Sequence, residues 1–466
     1  MNRIITVPVK DIITEQRFNP KYFYFYESKK NMENNNGLDF KKLGNKDYIE
    51  LLTDGIHSAV SLQKEGEIKY LYVKNLKEGF LDVTDNIYID PADILKNKNK
   101  ILEPNDILLS VVGRLGESAM VSNYLNIETS LPRNIAFMRT NKKTNLIKPE
   151  FLTCFFLSKF AKEQSIFSGG GNIQGLLSLT KLKKFIFPVP SMDIQDQFVK
   201  LYQKALLLQE EILDNIHSAK VLLSETLDVD NELKKKKLSF STHASEIRSN
   251  SIWTPNLYNK NVIKTFETYN TKYEMRSLSE LSIPFKKGKE IGSENYKDYL
   301  AKSKDDIPFI RTSDIYNYEI SSYPSYYANN DLRSELNQDF LEGDIIVNND
   351  GRIGYVAMIT SKDKGIYQSH IQRLRMKDEY KHLSNYVYIC LLSEDIGGIQ
   401  FKKNTVIQTT IPTLSNRLKN FIIPLVDNET IKIINEKVDK SMQAIVEKDV
   451  IIKKIKKEMN LLLDYY

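Results

Sequence analysis

The chain has 466 residues, 41% of them hydrophobic and 27% charged, with a formal net charge of +6. That composition is ordinary for a soluble globular protein of two or more domains, and the small basic excess permits nucleic acid as a partner without requiring it. No apolar run reaches membrane-spanning length and MNRIITVPVKDIITEQ has no signal-peptide core, so a cytoplasmic protein with no membrane partner is expected.

In chain order, an opening segment around Pro20 leads into short alternating strands, among them IKYLYVKNL (Ile68 to Leu76). The run DILLSVV follows, broken by Gly-Arg-x-Gly, then a second alternating strand at NIAFMRT. An apolar helix carries Cys154. The polar loop SGGGNIQG (Ser168 to Gly175) precedes a short strand ending at Pro188. Beyond it Ile194, Phe198, Leu201, Ala205, Leu208, Ile212 and Ile216 step by four and three, predicting a long helix with a coiled-coil-like seam.

The whole order then repeats. LEPNDILLSVVGRLG (Leu102 to Gly116) returns as LEGDIIVNNDGRIG (Leu341 to Gly354), FNPKYF at Phe18 as WTPNLY at Trp253, and LKKFIFPVP at Leu182 as LKNFIIPLV at Leu418. IPFIRTSDI (Ile307 to Ile315) and HIQRLRM (from His370) are the matching strands. Cys154 is matched by Cys390, and both read as buried free thiols rather than a disulfide. Ile434, Val438, Met442, Ile445, Ile452, Ile455, Met459 and Leu462 form a second seam. A unit this long is no solenoid repeat. The expected fold class is α+β: two similar β-rich domains, each followed by a long helix, the helices packed antiparallel because neither can bury its stripe alone. The expected boundaries are 1–190 and 251–426 for the two β-rich domains, 191–230 and 427–466 for the helices, and 231–250 for a polar linker. Lys234 to Lys237 in that linker reads as a solvated charge run, with a phosphate contact as the alternative.

Several chemistries lack their motifs. There is no Pro-Pro for an adenine-methyltransferase motif, no phosphate-binding G-x-x-x-x-G-K-[ST], no zinc-ligand cluster and no G-x-S-x-G elbow. Asp54, Glu67 and Lys69 read D-x12-E-x-K, which can bind Mg²⁺ for phosphodiester cleavage, but lysine-rich chains produce so short a pattern by chance, and a turn at Asp54-Gly55 with a half-exposed strand at Glu67 to Val73 is the preferred reading. Arg114 and Arg352 in their Gly-Arg-x-Gly turns suit phosphate or guanine, or pair with Asp106 and Asp344 as framework. Gln174 and Gln408 occupy corresponding polar loops that suit base-edge or backbone contact, or are merely structural. His57 is a DNA contact or a turn histidine.

Two β-rich modules, each followed by a long helix and without catalytic motifs, resemble the DNA-specificity (S) subunit of Type I restriction–modification systems. The resemblance rests on DGIH at Asp54 to His57, the IKYLYVKNL and IPFIRTSDI strands, the two Gly-Arg-x-Gly segments, and LSLTKLKKFIFPVPSMDIQDQ (Leu177 to Gln197) running into the helix. The second copy departs by having GKEIGS near Gly288 in place of DGxH, and PLVDNET after its strand. The resemblance implies that each domain reads one half of a bipartite gapped target in double-stranded DNA. The helices, roughly 45–50 Å long at about 1.5 Å per residue, would set a spacing on the order of a dozen base pairs. It also implies two modification (methyltransferase) subunits methylating adenine N6, and restriction/translocase subunits. S-adenosylmethionine, ATP and Mg²⁺ are expected only in those partners, with no cofactor, metal or catalysis in this chain. Candidate DNA contacts are Lys74, Asn75, Arg114, Arg133, Asn134, Asn172 and Gln174 in the first domain. In the second they are Arg311, Ser313, Asn348, Asn349, Arg352, His370, Gln372 and Gln408. The alternatives are an S-like subunit of a Type IIB-like or other methylation-based phage-defence assembly, a self-sufficient Mg²⁺-dependent nuclease using Asp54, Glu67 and Lys69, and a scaffold for two protein partners.

Overall fold

The computed structural model describes residues 9–10, 20–35, 37–84, 87–169, 175–228, 241–248, 255–295, 300–301, 307–336, 338–407 and 411–465. The chain forms two compact units, residues 1–207 with 450–466, and residues 208–449. The fold is α+β in both.

The first unit centres on an antiparallel sheet of β1 (Ile49–Asp54), β2 (Ile107–Ser110), β3 (Ser118–Met120) and β4 (Ile135–Thr140), in the order β3-β2-β4-β1. The second unit repeats this with β5 (Lys286–Lys287), β6 (Ile345–Asn348), β7 (Val356–Met358) and β8 (Ile371–Leu374), in the order β7-β6-β8-β5. Strand alternation sends successive residues to opposite faces, and the central strands β2 and β6 are buried on both. In β6, Ile345 and Val347 enter one core cluster while Ile346 enters another on the opposite face. The Ile346 cluster (Ile310, Ile315, Ile320, Ala357, Ile371) has its counterpart around Leu108 in the first unit, with Leu71, Leu76, Leu81, Ala119 and Ile135.

The runs expected as strands at Ile68–Leu76 and Ile307–Ile315 are each interrupted. Strand ends at Tyr70 and at Ile310, and a short 3-10 turn follows at Val73–Asn75 and Thr312–Asp314. The cause is a side chain that competes for backbone. Asn75 Oδ1 accepts from the Tyr72 N–H at 2.8 Å, and Asp314 Oδ2 from the Arg311 N–H at 2.8 Å.

Two pairs of interactions recur as framework. The Arg139 guanidinium clamps the Asp106 carboxylate through Nε and Nη2 at 2.7 and 2.8 Å, and Arg375 clamps Asp344 at 2.6 and 2.7 Å. Hydrogen bonding to Asp344 raises the Arg375 guanidinium further above its already high range, keeping it charged. Gln164 brackets Ile186, donating to its carbonyl and accepting from its N–H, both at 3.0 Å. Gln400 does the same to Ile422 at 2.9 and 2.7 Å.

The long helices are α1 (Met192–Leu227) and α2 (Asn428–Leu462). Asp193 and Glu429 stand in their first turns, where the helix dipole favours negative charge. Each helix is divided between the compact units near its middle. In the second unit Ile216, Ala219, Leu223 and Leu227 share a core cluster with Ile431, Ile434 and Val438, and Gln209 meets Lys448, so these stretches run antiparallel. In the first unit the end of α2 docks through Asn460, which accepts from the Lys159 N–H at 3.1 Å; just beyond it, the Tyr465 ring lies 5.2 Å from that of Phe160. The buried stripe of α1 differs from the expected seam: Gln195, Tyr202 and Gln209 are fully buried, while Ile194 and Leu201 are only half-buried. Leu208 is buried as expected. Both cysteines are buried free thiols on helices, Pro149–Phe156 and Ser384–Leu392. No helix among the described residues is long and apolar enough to cross a membrane.

Candidate nucleic-acid interface

The register of the central strands decides which loops meet. Ser110 faces Ile135 and Asn348 faces Ile371, so the chain leaving β2 or β6 emerges beside the chain entering β4 or β8. The Val111 N–H donates to the Asn134 carbonyl, and the Leu177 N–H to the Val111 carbonyl, both at 2.9 Å. In the second unit the Asn349 N–H donates to His370 at 2.8 Å, and the Leu414 N–H to Asn349 at 2.9 Å. Three loops therefore converge at one end of each sheet. The opposite end holds the Arg–Asp clamps.

The Gly-Arg-x-Gly turns sit at that convergence. Both glycines of each turn lie in the left-handed region, at φ +83° and +82° in the first and +75° and +87° in the second, which side-chain-bearing residues rarely adopt. A second glycine pair explains the departure from DGxH. A Cβ at Gly55 would lie 2.0 Å from the Leu131 carbonyl, and one at Gly288 would lie 2.2 Å from that of Gln368. Gly55 donates to the Ile135 carbonyl and Gly288 to that of Ile371, so Gly288 holds the place of Gly55.

Of the residues singled out from sequence, Arg114, Arg133 and Asn134 are exposed at the convergence in the first unit. In the second, Arg352 and His370 lie at the same place and are partly exposed; the Arg352 guanidinium lies 3.7 Å from the Tyr355 ring centroid. Arg311 and Ser313 are partly exposed, and Asn348 reaches the Thr312 carbonyl between them at 3.4 Å. Arg311 stacks 5.0 Å over Tyr326, and Lys74, partly exposed, lies 5.8 Å from the Tyr72 ring.

Four residues are placed otherwise than expected of a contact surface: Asn75, Asn348, Asn349 and Gln372 are buried, at 2%, 0%, 0% and 3% exposure. Asn75 is committed to its turn, donating to the Asp82 carbonyl at 2.9 Å as well as accepting from Tyr72. Gln372 lies on the face of β8 that carries Leu374 into the core and donates to the Ser415 carbonyl at 3.0 Å. Asn172, Gln174 and Gln408 lie outside the described residues. The pairing of Arg114 and Arg352 with Asp106 and Asp344, open on sequence grounds, is replaced by Arg139 and Arg375.

Sequence reasoning missed Asp350 at this end and read Asp54 only as a turn residue or metal ligand. The Asp54 carboxylate lies 2.9 Å from His57 Nε2 and 3.8 Å from Lys100 Nζ. Asp350 gathers the second unit's loops: Oδ1 accepts from the Thr413 hydroxyl and from Asn349 Nδ2, while Oδ2 meets His370 Nδ1 at 3.0 Å and Lys287 Nζ at 3.4 Å. Burial pushes the Asp350 carboxyl up, but the hydrogen bonds from Thr413, His370 and Asn349 with the charge of Lys287 outweigh it and hold it below the usual carboxylate range. Lys69, the lysine of the alternative nuclease constellation, is 5% exposed, where the preferred reading had a half-exposed strand. No group of three or more His, Cys, Asp or Glu side chains placed to hold a metal occurs among the described residues.

Comparison with known proteins accords with this arrangement. Residues 270–460 match the family model described as Type I restriction modification DNA specificity domain. Over 156 residues the chain is 24% identical to the Type I restriction enzyme EcoBI specificity subunit of Escherichia coli, a match covering 34% of this chain and 32%, about a third, of that relative's length. Among solved structures it is similar to a Type I restriction–modification S subunit from M. genitalium, at 14% identity and TM-score 0.33, covering 92% of this chain and 96% of that one. It is also similar to the HsdS subunit from Thermoanaerobacter tengcongensis, at 14% identity and TM-score 0.28, covering 92% and 96%. Residues 270–460 are thus similar to Type I restriction modification DNA specificity domains, and the first unit repeats the sheet order, clamp and bracket of that region.

Proposed function

We propose that the chain is the non-catalytic specificity subunit of a Type I restriction–modification complex, each module reading one half of a bipartite, gapped DNA target. The observation that carries this reading is a family-matched specificity domain whose framework is built twice, with different side chains where the loops converge: Asn134 in one, His370 beside Asp350 in the other. Two unlike surfaces on one chain suit two unlike half-sites. Arg114, Arg133, Asn134, Lys74, Arg311, Ser313, Arg352 and His370 are the proposed contacts, arginines to guanine or phosphate, Asn and His to base edges, Lys and Ser to phosphate. The antiparallel helices would fix the half-site spacing and dock two modification subunits. These would bring S-adenosylmethionine and methylate adenine after flipping it, and restriction/translocase subunits would use ATP and Mg²⁺ to act on unmethylated DNA.

The test is single-molecule methylation sequencing of DNA from a host expressing this chain with its neighbouring methylase, against the methylase alone. A gapped adenine-methylated motif that appears only with this chain is expected. No new motif, with the methylase shown to be active, would sink the proposal.

A further inference from the structure

Each module carries a histidine held by a carboxylate at the end where its loops converge, and the two pairs are not built from equivalent residues. In the first, Asp54 at the end of β1 holds His57 Nε2 at 2.9 Å. In the second, the place of Asp54, just before the glycine, is taken by Lys287, and Asp350 of the Gly-Arg-x-Gly turn holds His370 Nδ1 at 3.0 Å. The framework interactions, by contrast, recur at equivalent positions: Arg139 with Arg375, Gln164 with Gln400. An arrangement inherited with the fold would have kept its positions as those did. One reached twice from different residues, at the same end of the sheet, points to a task performed there.

The geometry defines the task. The acids are mostly buried, with side chains 18% and 12% exposed, and the rings they hold are open, at 61% and 42%. A carboxylate can only accept, so the ring nitrogen it meets carries the proton. In the neutral imidazole the other nitrogen, Nδ1 of His57 and Nε2 of His370, is then an acceptor, and no described residue bonds to it. In the major groove an acceptor pairs with an exocyclic amine, adenine N6 or cytosine N4.

We propose that His57 and His370 are specificity-determining residues, each reading an adenine or cytosine amino group through the ring nitrogen turned away from its carboxylate, with Asp54 and Asp350 as positioning residues that fix this hydrogen-bonding sense. The inference rests on the reading of these loops as DNA-contacting and assigns one base edge per half-site.

The test starts from the methylation motif specified by the full chain with its methylase. His57→Ala should relax one position in one half-site and leave the other half-site intact; His370→Ala should do the reverse. Binding of the full chain to duplexes in which the assigned amine is replaced by hydrogen provides a second readout. The replacement should weaken the wild type about tenfold and the corresponding His variant by less than twofold, a coupling that a merely structural ring would not produce. Asp350→Asn, which can donate to the ring, should let His370 adopt either tautomer and blunt the discrimination while binding persists. A motif unchanged in both His variants, or an amine effect identical with and without the ring, would overturn the inference while leaving the specificity-subunit reading intact. Absence of any motif from the wild-type chain would instead count against that reading.

Discussion

Lys448 provides the sharpest test of how the second module holds its helices. This residue of α2 is 5% exposed, and its ammonium donates to Glu319 Oε1 at 2.5 Å and to Gln209 Oε1 of α1 at 2.6 Å. Glu319 is itself 6% exposed, and its other oxygen lies 4.0 Å from Lys362, which pairs with Asp363 at 3.2 Å. Burial pulls the Lys362 ammonium down, but Asp363, Glu319 and Asp449 outweigh it and raise it. At an effective dielectric of about 20, charges at the Lys448–Glu319 separation attract by roughly 6–7 kcal/mol. Desolvation of two ions offsets most of that, so the pair's net worth is small while the cost of stranding one member is large. Glu319→Ala or Lys448→Ala should therefore each destabilise by about 3–5 kcal/mol, a fall in Tm of roughly 6–20 °C for a unit of this size. The double variant should cost clearly less than the sum, and Glu319→Leu with Lys448→Met should recover most of the loss. Calorimetry of the full chain and a double-mutant cycle in urea measure both. Single losses below about 1 kcal/mol that add in the double variant would refute the reasoning.

Other expectations follow from the same framework. Gln164→Ala removes both bonds of the bracket and leaves the buried Ile186 N–H and carbonyl unpaired, for a loss of about 2–4 kcal/mol; Gln400→Ala should match it, and urea denaturation reads either. Gly55→Ala drives a Cβ against backbone at 2.0 Å and should destabilise its module or abolish soluble expression, whereas Gly113→Ala meets open space and strains only its φ of +83°. Burial pushes the Cys154 and Cys390 thiols up, so neither should react with a thiol reagent near neutral pH until denaturant unfolds the chain. The Asp350 carboxyl is depressed in the folded protein, so its stabilisation is complete above the unfolded value of about 3.9 and is lost as pH falls through the native one. The stability gap between wild type and Asp350→Asn should accordingly be flat near neutrality and close in acid. A gap that widens in acid would contradict the assignment.

How far the fold could be read depended on whether a signal was local. The repeat placed the same strands and loops in both halves because backbone-forming patterns survive duplication. The stripe of α1 was read through Leu201, where Tyr202 and Gln209 are the residues wholly buried. Gln209 is polar, and its partner Lys448 is 239 positions further along the chain, so nothing near it in sequence marks it as interior. The clamp on Asp106 was sought in Arg114, eight residues away. It comes from Arg139, whose position across the sheet depends on a strand register no local pattern encodes. Yet Arg139 and Arg375 stand 236 apart, as do Gln164 and Gln400, so polar residues kept at the repeat spacing would have flagged both. Asn75 looked like a contact because Asn suits bases; its capture of the Tyr72 N–H is equally in character for Asn, and only tertiary burial separates the two. Asp54 with His57, three residues apart, was within reach of the sequence. Asp350 with His370 was not.

The separation of clamp from convergent loops has an evolutionary consequence. The residues on which folding depends, Arg139 with Asp106 and Arg375 with Asp344, lie at one pole of each sheet, and the Gly-Arg-x-Gly turns at the other. At the tips, a Cβ on Gly113 or Gly351 would meet nothing within 4 Å. Exposed side chains there, such as Arg114, Arg133 and Asn134, can be exchanged with little penalty in foldability, whereas the glycines are held by their positive φ or by the backbone packed against them. On the proposed function, new recognition surfaces can therefore be tried by substitution at the loops without first passing through unfolded intermediates.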